Sequence, residues 1–205
     1  RYADAEALLR EDFARDAERK PEDEHDPGDR GRGMLLGQLA EVIAAQGRLD
    51  EAMAIQSKAV ELVTAAFAAI NAHLDEARAE AERQGMRTAG PLGRSYEIAM
   101  RRTYANMLGR AGRYDESEAA YRYVLGQQDA EEALPASPLF EPPTLGRAYR
   151  VATNAERRSS ILTGLADVVR AEGRISEADT LAAEAASLAS CAATLRARTR
   201  RLEVR

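Results

Sequence analysis

The chain has 205 residues, 45% of them hydrophobic but only 5% aromatic with no Trp, so its core must be built from Ala, Leu, Ile and Val. Its 29 basic and 34 acidic residues leave a net charge of −5, which gives no general attraction for nucleic acid or an anionic membrane. A single Cys191 excludes an internal disulfide, and no uninterrupted apolar run approaches the ~20 residues of a bilayer span. The expected setting is therefore intracellular, the cytoplasm or an organelle matrix, with no membrane insertion and no nucleic acid partner. Abundant Ala, Leu, Glu and Arg, all strong helix formers, predict an all-α fold.

In chain order, Tyr2, Ala5 and Leu9 share one helical face, and residues 1–17 read as the second helix of a repeat whose first helix is missing. That start and the absence of an initiator Met predict a processed chain or a piece of a longer one. Residues 18–33, rich in Pro, Gly and charge, read as a loop. Leu35, Leu36, Leu39, Val42 and Ile43 then predict an amphipathic helix that Gly47 ends. A second helix opens near Asp50 and carries Ala52, Ile55, Ala59, Leu62, Val63, Ala66, Ile70 and Leu74 to about Gln84, either as one long rod or broken near Asn71. Residues 34–84 form the first full repeat and residues 85–93, with Gly90-Pro91, the next loop.

The second repeat, residues 94–128, runs through Tyr96, Ile98, Tyr104 and Leu108 to Gly112 and returns through Ala119, Tyr121, Val124 and Leu125. Residues 129–146 hold Pro135, Pro138, Pro142 and Pro143 and predict an extended loop pinned by Leu139 and Phe140. The third repeat, residues 153–205, opens with Thr153 and Glu156 at capping-box spacing, passes Ile161, Leu165 and Val169 to Gly173, and returns through Ala178, Ala185 and Leu188. A basic helix with Arg196, Arg198, Arg200, Arg201 and Arg205 closes it.

One motif organises this layout. Gly47-Arg48-Leu49-Asp50-Glu51-Ala52 recurs as Gly112-Arg113-Tyr114-Asp115-Glu116-Ser117 and as Gly173-Arg174-Ile175-Ser176-Glu177-Ala178. Each reads as a helix–turn–helix corner, with Gly past a helix end and acidic residues at the positive end of the next macrodipole. Aligned on these glycines, small residues coincide: Ala40, Ala105 and Ala166 seven before; Ala52, Ser117 and Ala178 five after; Ala59, Val124 and Ala185 twelve after. Large residues fill the gaps between them, at Leu39, Tyr104 and Leu165, and at Leu49, Tyr114 and Ile175. Arg101, Ser117 and Gln56 break the apolar or small pattern.

This pattern resembles the tetratricopeptide repeat (TPR) family, over most of the chain. The glycines stand 65 and 61 residues apart, against about 34 for compact family repeats, so long helices or inserted loops must fill the difference. The segment from Glu24 to Asp29, with His25 and Pro27, resembles the acidic linkers of kinesin-light-chain-type repeats. The resemblance implies a helical solenoid that binds partners and does no chemistry, a scaffold presenting a concave face to a peptide or protein segment. The concave positions it implies are Gln38 and Glu41; Arg102, Asn106 and Arg110; and Thr163, Asp167 and Arg170. Arg102, Asn106 and Arg110, four apart, suit an acidic or carboxylate-bearing partner.

No enzyme is expected, because no nucleophile, base and orienting group assemble from these residues. His25 and His73 lack companions at metal-ligand spacing, so no metal and no cofactor are expected. Gly28, Gly31 and Gly33 follow no predicted strand, which sets aside a nucleotide loop, and the acidic run from Glu22 to Asp29 lacks the order of a calcium loop. Cys191, on an Ala-rich face, reads as a packed thiol. Two other roles remain open: a structural subunit or assembly factor of a large complex, contacting it through Leu134, Leu139 and Phe140, and the sensor segment of a larger signalling protein.

Overall fold

A computed structural model describes residues 1–18, 29–84, 95–132 and 145–203, and these form seven α-helices with no strand among the described residues. They are α1 (Tyr2–Glu18), α2 (Asp29–Ala45), α3 (Leu49–Arg83), α4 (Ser95–Arg110), α5 (Tyr114–Glu132), α6 (Leu145–Ala171) and α7 (Ile175–Glu203). The helices group into two compact units, α1–α4 and α5–α7, and the boundary between Arg113 and Tyr114 falls inside the stretch read above as the second repeat.

The three corners are built alike. Gly47, Gly112 and Gly173 have φ of 84°, 77° and 85°. In each, the Arg N–H that follows reaches back five residues, to the carbonyls of Ile43, Leu108 and Val169 at 3.3, 3.0 and 3.1 Å. The Gly N–H bonds the carbonyl three residues back, which completes a Schellman closure of the helix end. A side chain other than hydrogen would be strained at these φ values, which is why the sequence repeats Gly there.

In the first unit α2 and α3 form an antiparallel hairpin, α1 packs on α2, and α4 packs on α3. Ala40, Ile43, Ala52, Ala59, Val63 and Ala105 are fully buried. In the second unit α6 and α7 form the hairpin and α5 lies on α6. Along α7 the buried positions are Ala178, Ala185, Ala192 and Thr199, one every seven residues, so a seam of small side chains lets the helix lie close against α6. All nine small positions aligned in the sequence are buried in the structure.

Several boundaries differ from the expectation. α3 is one rod of 35 residues that runs unbroken through Asn71. By length and mean hydropathy it is the one described helix that could cross a membrane, and here its Ala52, Met53, Val63, Ala66 and Phe67 lie in the core of the first unit. α2 starts at Asp29, so residues 29–33 are helical where a loop was expected; residues 19–28 lie outside the described residues. Gly33 does not break α2 but fits it to α3: a Cβ there would lie 2.6 Å from Val63 Cγ2 and 3.1 Å from the Ala59 carbonyl. α5 continues to Glu132.

α6 starts at Leu145, which puts Thr153 inside a helix rather than at its cap. Its Oγ1 is buried and has no hydrogen-bond partner among the described residues. The earlier start follows from Ala152, fully buried, which extends the apolar stripe back past the threonine. The basic segment is the uninterrupted end of α7. Tyr114 and Ile175, expected as fillers, are exposed, because the buried register begins at Ser117 and Ala178. Cys191 is also exposed, its neighbour Ala192 taking the buried place. Leu134, Leu139 and Phe140 lie outside the described residues.

Candidate interaction surface

In the first unit, Arg102, Asn106 and Arg110 occupy successive turns of α4, with Asn106 and Arg110 exposed and Arg102 half-buried. Gln38 and Glu41 are exposed on α2. Two contacts join the helices at this surface: Thr103 Oγ1 donates to Glu41 Oε1 at 3.4 Å, and Arg110 Nη2 donates to the Ala44 carbonyl at 2.9 Å. The second bond satisfies a carbonyl in the last turn of α2 and places a cation at the negative end of its dipole. Arg110 is thus committed to holding α4 on α2, while Gln38 and Asn106 are exposed beside it.

In the second unit, Thr163, Asp167 and Arg170 are exposed on α6. Thr163 Oγ1 bonds back to the Ser159 carbonyl at 2.9 Å, and Arg170 bridges Asp167 and, on α7, Asp179 at 3.5 and 3.1 Å. These three residues serve their own hairpin. The structure brings Gln38, Glu41, Arg102, Asn106 and Arg110 together in one unit, and Thr163, Asp167 and Arg170 together in the other.

Sequence reasoning missed the chemistry beside the corners. Arg48 Nη1 binds Glu6 Oε2 of α1 at 2.8 Å and its Nη2 binds Glu51, while Arg10 bridges the same two carboxylates. Arg174 Nη1 binds Glu118 Oε2 of α5 at 2.7 Å and its Nη2 binds Glu177, while Arg122 bridges those two. The two four-member networks are register copies, since Glu6 and Glu118 each stand four residues after the first residue of their helix, Tyr2 and Tyr114. In α3 that place is Met53, whose Sδ lies 4.0 Å from Arg113 Nη1. The Arg after every corner Gly was the available signal.

The networks favour the ionised forms of Glu6, Glu118 and Glu177. The Gln46 amide, then Arg48 and Arg10, bind Glu6 and lower its pKa from 4.5 to about 2. Burial works against the charge of Glu118, and the Arg174 and Arg122 guanidiniums outweigh it, so its pKa is lowered too. Arg174 and Arg122 likewise lower Glu177.

Two departures from the repeat pattern also have work to do. Gln56, 1% exposed, donates from Nε2 to the Met100 carbonyl at 2.9 Å and so ties α3 to α4. Arg101 binds Glu97, itself 3% exposed, at 2.9 Å, beside a groove of about 470 Å³ between α3 and α4 whose lining includes Ser57, Val60, Thr64, Ala68 and Tyr104. No group of three His, Cys, Asp or Glu among the described residues could hold a metal ion.

No family model matches the chain, and no curated protein matches it. Among solved structures it is similar to the nearly identical TPR-like repeats described as those of a kinesin light chain from Podosopora anserina, at 16% identity and TM-score 0.42, over 91% of this chain and 86% of that one. A variant of the same repeats gives 16% identity and TM-score 0.43, over 98% and 89%. The repetition in this chain is in its own geometry: three Gly corners closed by the same bonds, with small residues buried at the same three offsets from each.

Proposed function

We propose that the chain is a non-catalytic protein interaction scaffold that takes a peptide or protein segment bearing acidic or carboxylate groups on the α2–α4 surface. The observation that carries this is the row on α4: Asn106, exposed, and Arg102, half-buried, lie one turn apart, with Gln38 exposed on the helix alongside. A guanidinium and an amide four residues apart offer directed donors to a carboxylate. The row stands on a rigid footing, because Arg110 and Gln56 fix α4 to α2 and α3 through backbone carbonyls. Preorganised donors lose less on binding than mobile ones.

The test is selection of a displayed random-peptide library on the chain, followed by affinity measurement on an Arg102→Glu/Asn106→Glu variant. Arg110 is left intact because its substitution would also loosen α4. Enriched peptides should carry Asp, Glu or a free carboxyl terminus and lose at least tenfold in affinity on the variant, while circular dichroism stays unchanged. Equal binding to both proteins sinks this surface.

A further inference from the structure

The helices that leave the three corners can be compared position by position. In α3 the residues six, nine, 13, 16 and 20 after Gly47 are Met53, Gln56, Val60, Val63 and Phe67, and all five are buried. Gln56 donates from this row to the Met100 carbonyl, so the row seats α4. In α5 the residues nine and 16 after Gly112 are Tyr121 and Gln128, both buried. Tyr121 lies against Gly164, and Gln128 donates to the Asn154 carbonyl at 3.0 Å. As α5 advances from Tyr121 to Gln128 its partner recedes from Gly164 to Asn154, so α6 fills the row as an antiparallel helix.

In α7 the same offsets from Gly173 give Asp179, Ala182, Ala186, Ala189 and Ala193. Spacings of three and four residues put them on one flank, beside the buried seam of Ala178, Ala185 and Ala192, and the row continues through Arg196 to Arg200. Ala182 is half-buried, whereas Asp179, Ala186, Ala189, Ala193 and Arg200 are exposed. Within the second unit α7 packs on α6 alone, and the row that seats a helix on α3 and on α5 stands open.

Charge selects the helix that fits it. Residues 175–184 hold Glu177, Asp179 and Glu184 and no cation, residues 185–195 hold no charge, and residues 196–200 hold Arg196, Arg198 and Arg200 and no anion. A second α7 laid antiparallel, with a two-fold axis between Ser187 and Leu188, sets Ala186 opposite Ala189 and Ala182 opposite Ala193. The same register sets Asp179 opposite Arg196, with Arg200 one turn beyond. Arg196 is held by Glu156 and Tyr149 of its own α6, so Arg200 is the guanidinium that meets Asp179, whose side chain stays 67% exposed beside Arg170. A parallel pair would instead set Asp179 against Asp179 and Arg200 against Arg200.

We propose that two copies of this chain associate by antiparallel pairing of their α7 helices along Asp179, Ala182, Ala186, Ala189, Ala193 and Arg200. Methyl-sized side chains let the two backbones approach closely, and the two-fold axis uses one patch twice. Alanine buries little apolar area, so the dimer is weak, concentration-dependent and, through its charged ends, sensitive to salt. The pairing shares no residue with the α2–α4 surface and stands without it.

Sedimentation equilibrium of the full chain under reducing conditions should show monomer and dimer in exchange, shifted toward monomer as salt rises. Ala186→Glu/Ala189→Glu should raise the dissociation constant roughly tenfold or more and Arg200→Glu severalfold, with circular dichroism unchanged because these positions are exposed. The direction of pairing is read by oxidising a mixture of Ala186→Cys chains and Ala189→Cys chains, both with Cys191→Ser to remove the exposed native thiol. Unlike chains should link faster than like chains. The proposal is overturned if the double glutamate variant dimerises as the wild type does, or if like chains link faster. A chain that stays monomeric at every concentration also overturns it, and leaves the row to a helix of another protein.

Discussion

At the scale of single residues, closeness between helices is set by what is missing from a side chain. Gly164 of α6 faces Tyr121 of α5, and a Cβ there would lie 2.3 Å from the tyrosine oxygen and 2.4 Å from Cζ. Tyr121 is buried, so its ring cannot swing out to solvent. Gly164→Ala should therefore cost about 1–3 kcal/mol, in spite of alanine's better helix propensity. Adding Tyr121→Leu should recover part of that loss. Urea unfolding of the single and double variants checks both, and a Gly164→Ala chain more stable than wild type would contradict the contact. None of this was legible in the sequence, where Gly164 is simply a glycine inside an apolar stripe. Gly33 misled for the same reason: a residue that permits contact looks, in isolation, like a residue that ends a helix.

At the scale of elements, the corners were legible and their fastenings were not. Gly, Arg and a Glu four residues after the Gly recur locally, so the turn can be read from one stretch of chain. Glu6 and Glu118, the partners of Arg48 and Arg174 on α1 and α5, lie more than 40 residues away, and no local spacing announces them. Their consequence is a pH dependence with a definite sign. Glu6, Glu118 and Glu177 have lowered folded-state pKa values, so the stability they contribute is fully present above the unfolded value near 4.5. It is lost as pH falls from there toward about 2, the folded value of Glu6. The thermal midpoint should fall through that window, and Glu6→Gln should flatten the part of the fall that belongs to α1. An unchanged slope in the variant would mean that the network is absent in solution. Boundaries of α6 were misread because Thr153 and Glu156 happen to carry capping-box spacing inside a helix that Ala152 had already committed to packing.

At the scale of the whole molecule, the repeat order was legible because the core positions recur at fixed distances from each corner. What the repeats would be divided into was not. The boundary between the two units follows which helices bury side chains against which, α4 with α3 and α5 with α6, and sequence spacing does not weigh one pairing against another. The candidate surface shared that limit: Arg110 and Arg170, two of the eight positions expected from the repeat pattern, are employed within their own units. Nearest-neighbour packing predicts where damage is felt. Gly173→Ala forces a φ of 85° on an L side chain, with nothing within 4 Å to clash, so its cost is purely conformational, about 1–2 kcal/mol. Hydrogen exchange should quicken in α6 and α7 by roughly tenfold and leave α2 and α3 as they were. Uniform quickening along the chain would count against nearest-neighbour stacking.

The guanidinium–carboxylate networks beside Gly47 and Gly173 also set a mechanical property. Each hairpin is held by buried Ala, Leu, Ile and Val, which salt does not screen, whereas the fastening of α1 and of α5 to the neighbouring corners adds ion pairs between half-buried glutamates and more exposed arginines, which it does. Ionic strength therefore acts as a stiffness control. At low salt the ion pairs clamp the neighbouring helices to the corners, and at high salt apolar contacts such as those of Tyr121 and Val124 hold α5 alone, while the hairpins themselves stay closed.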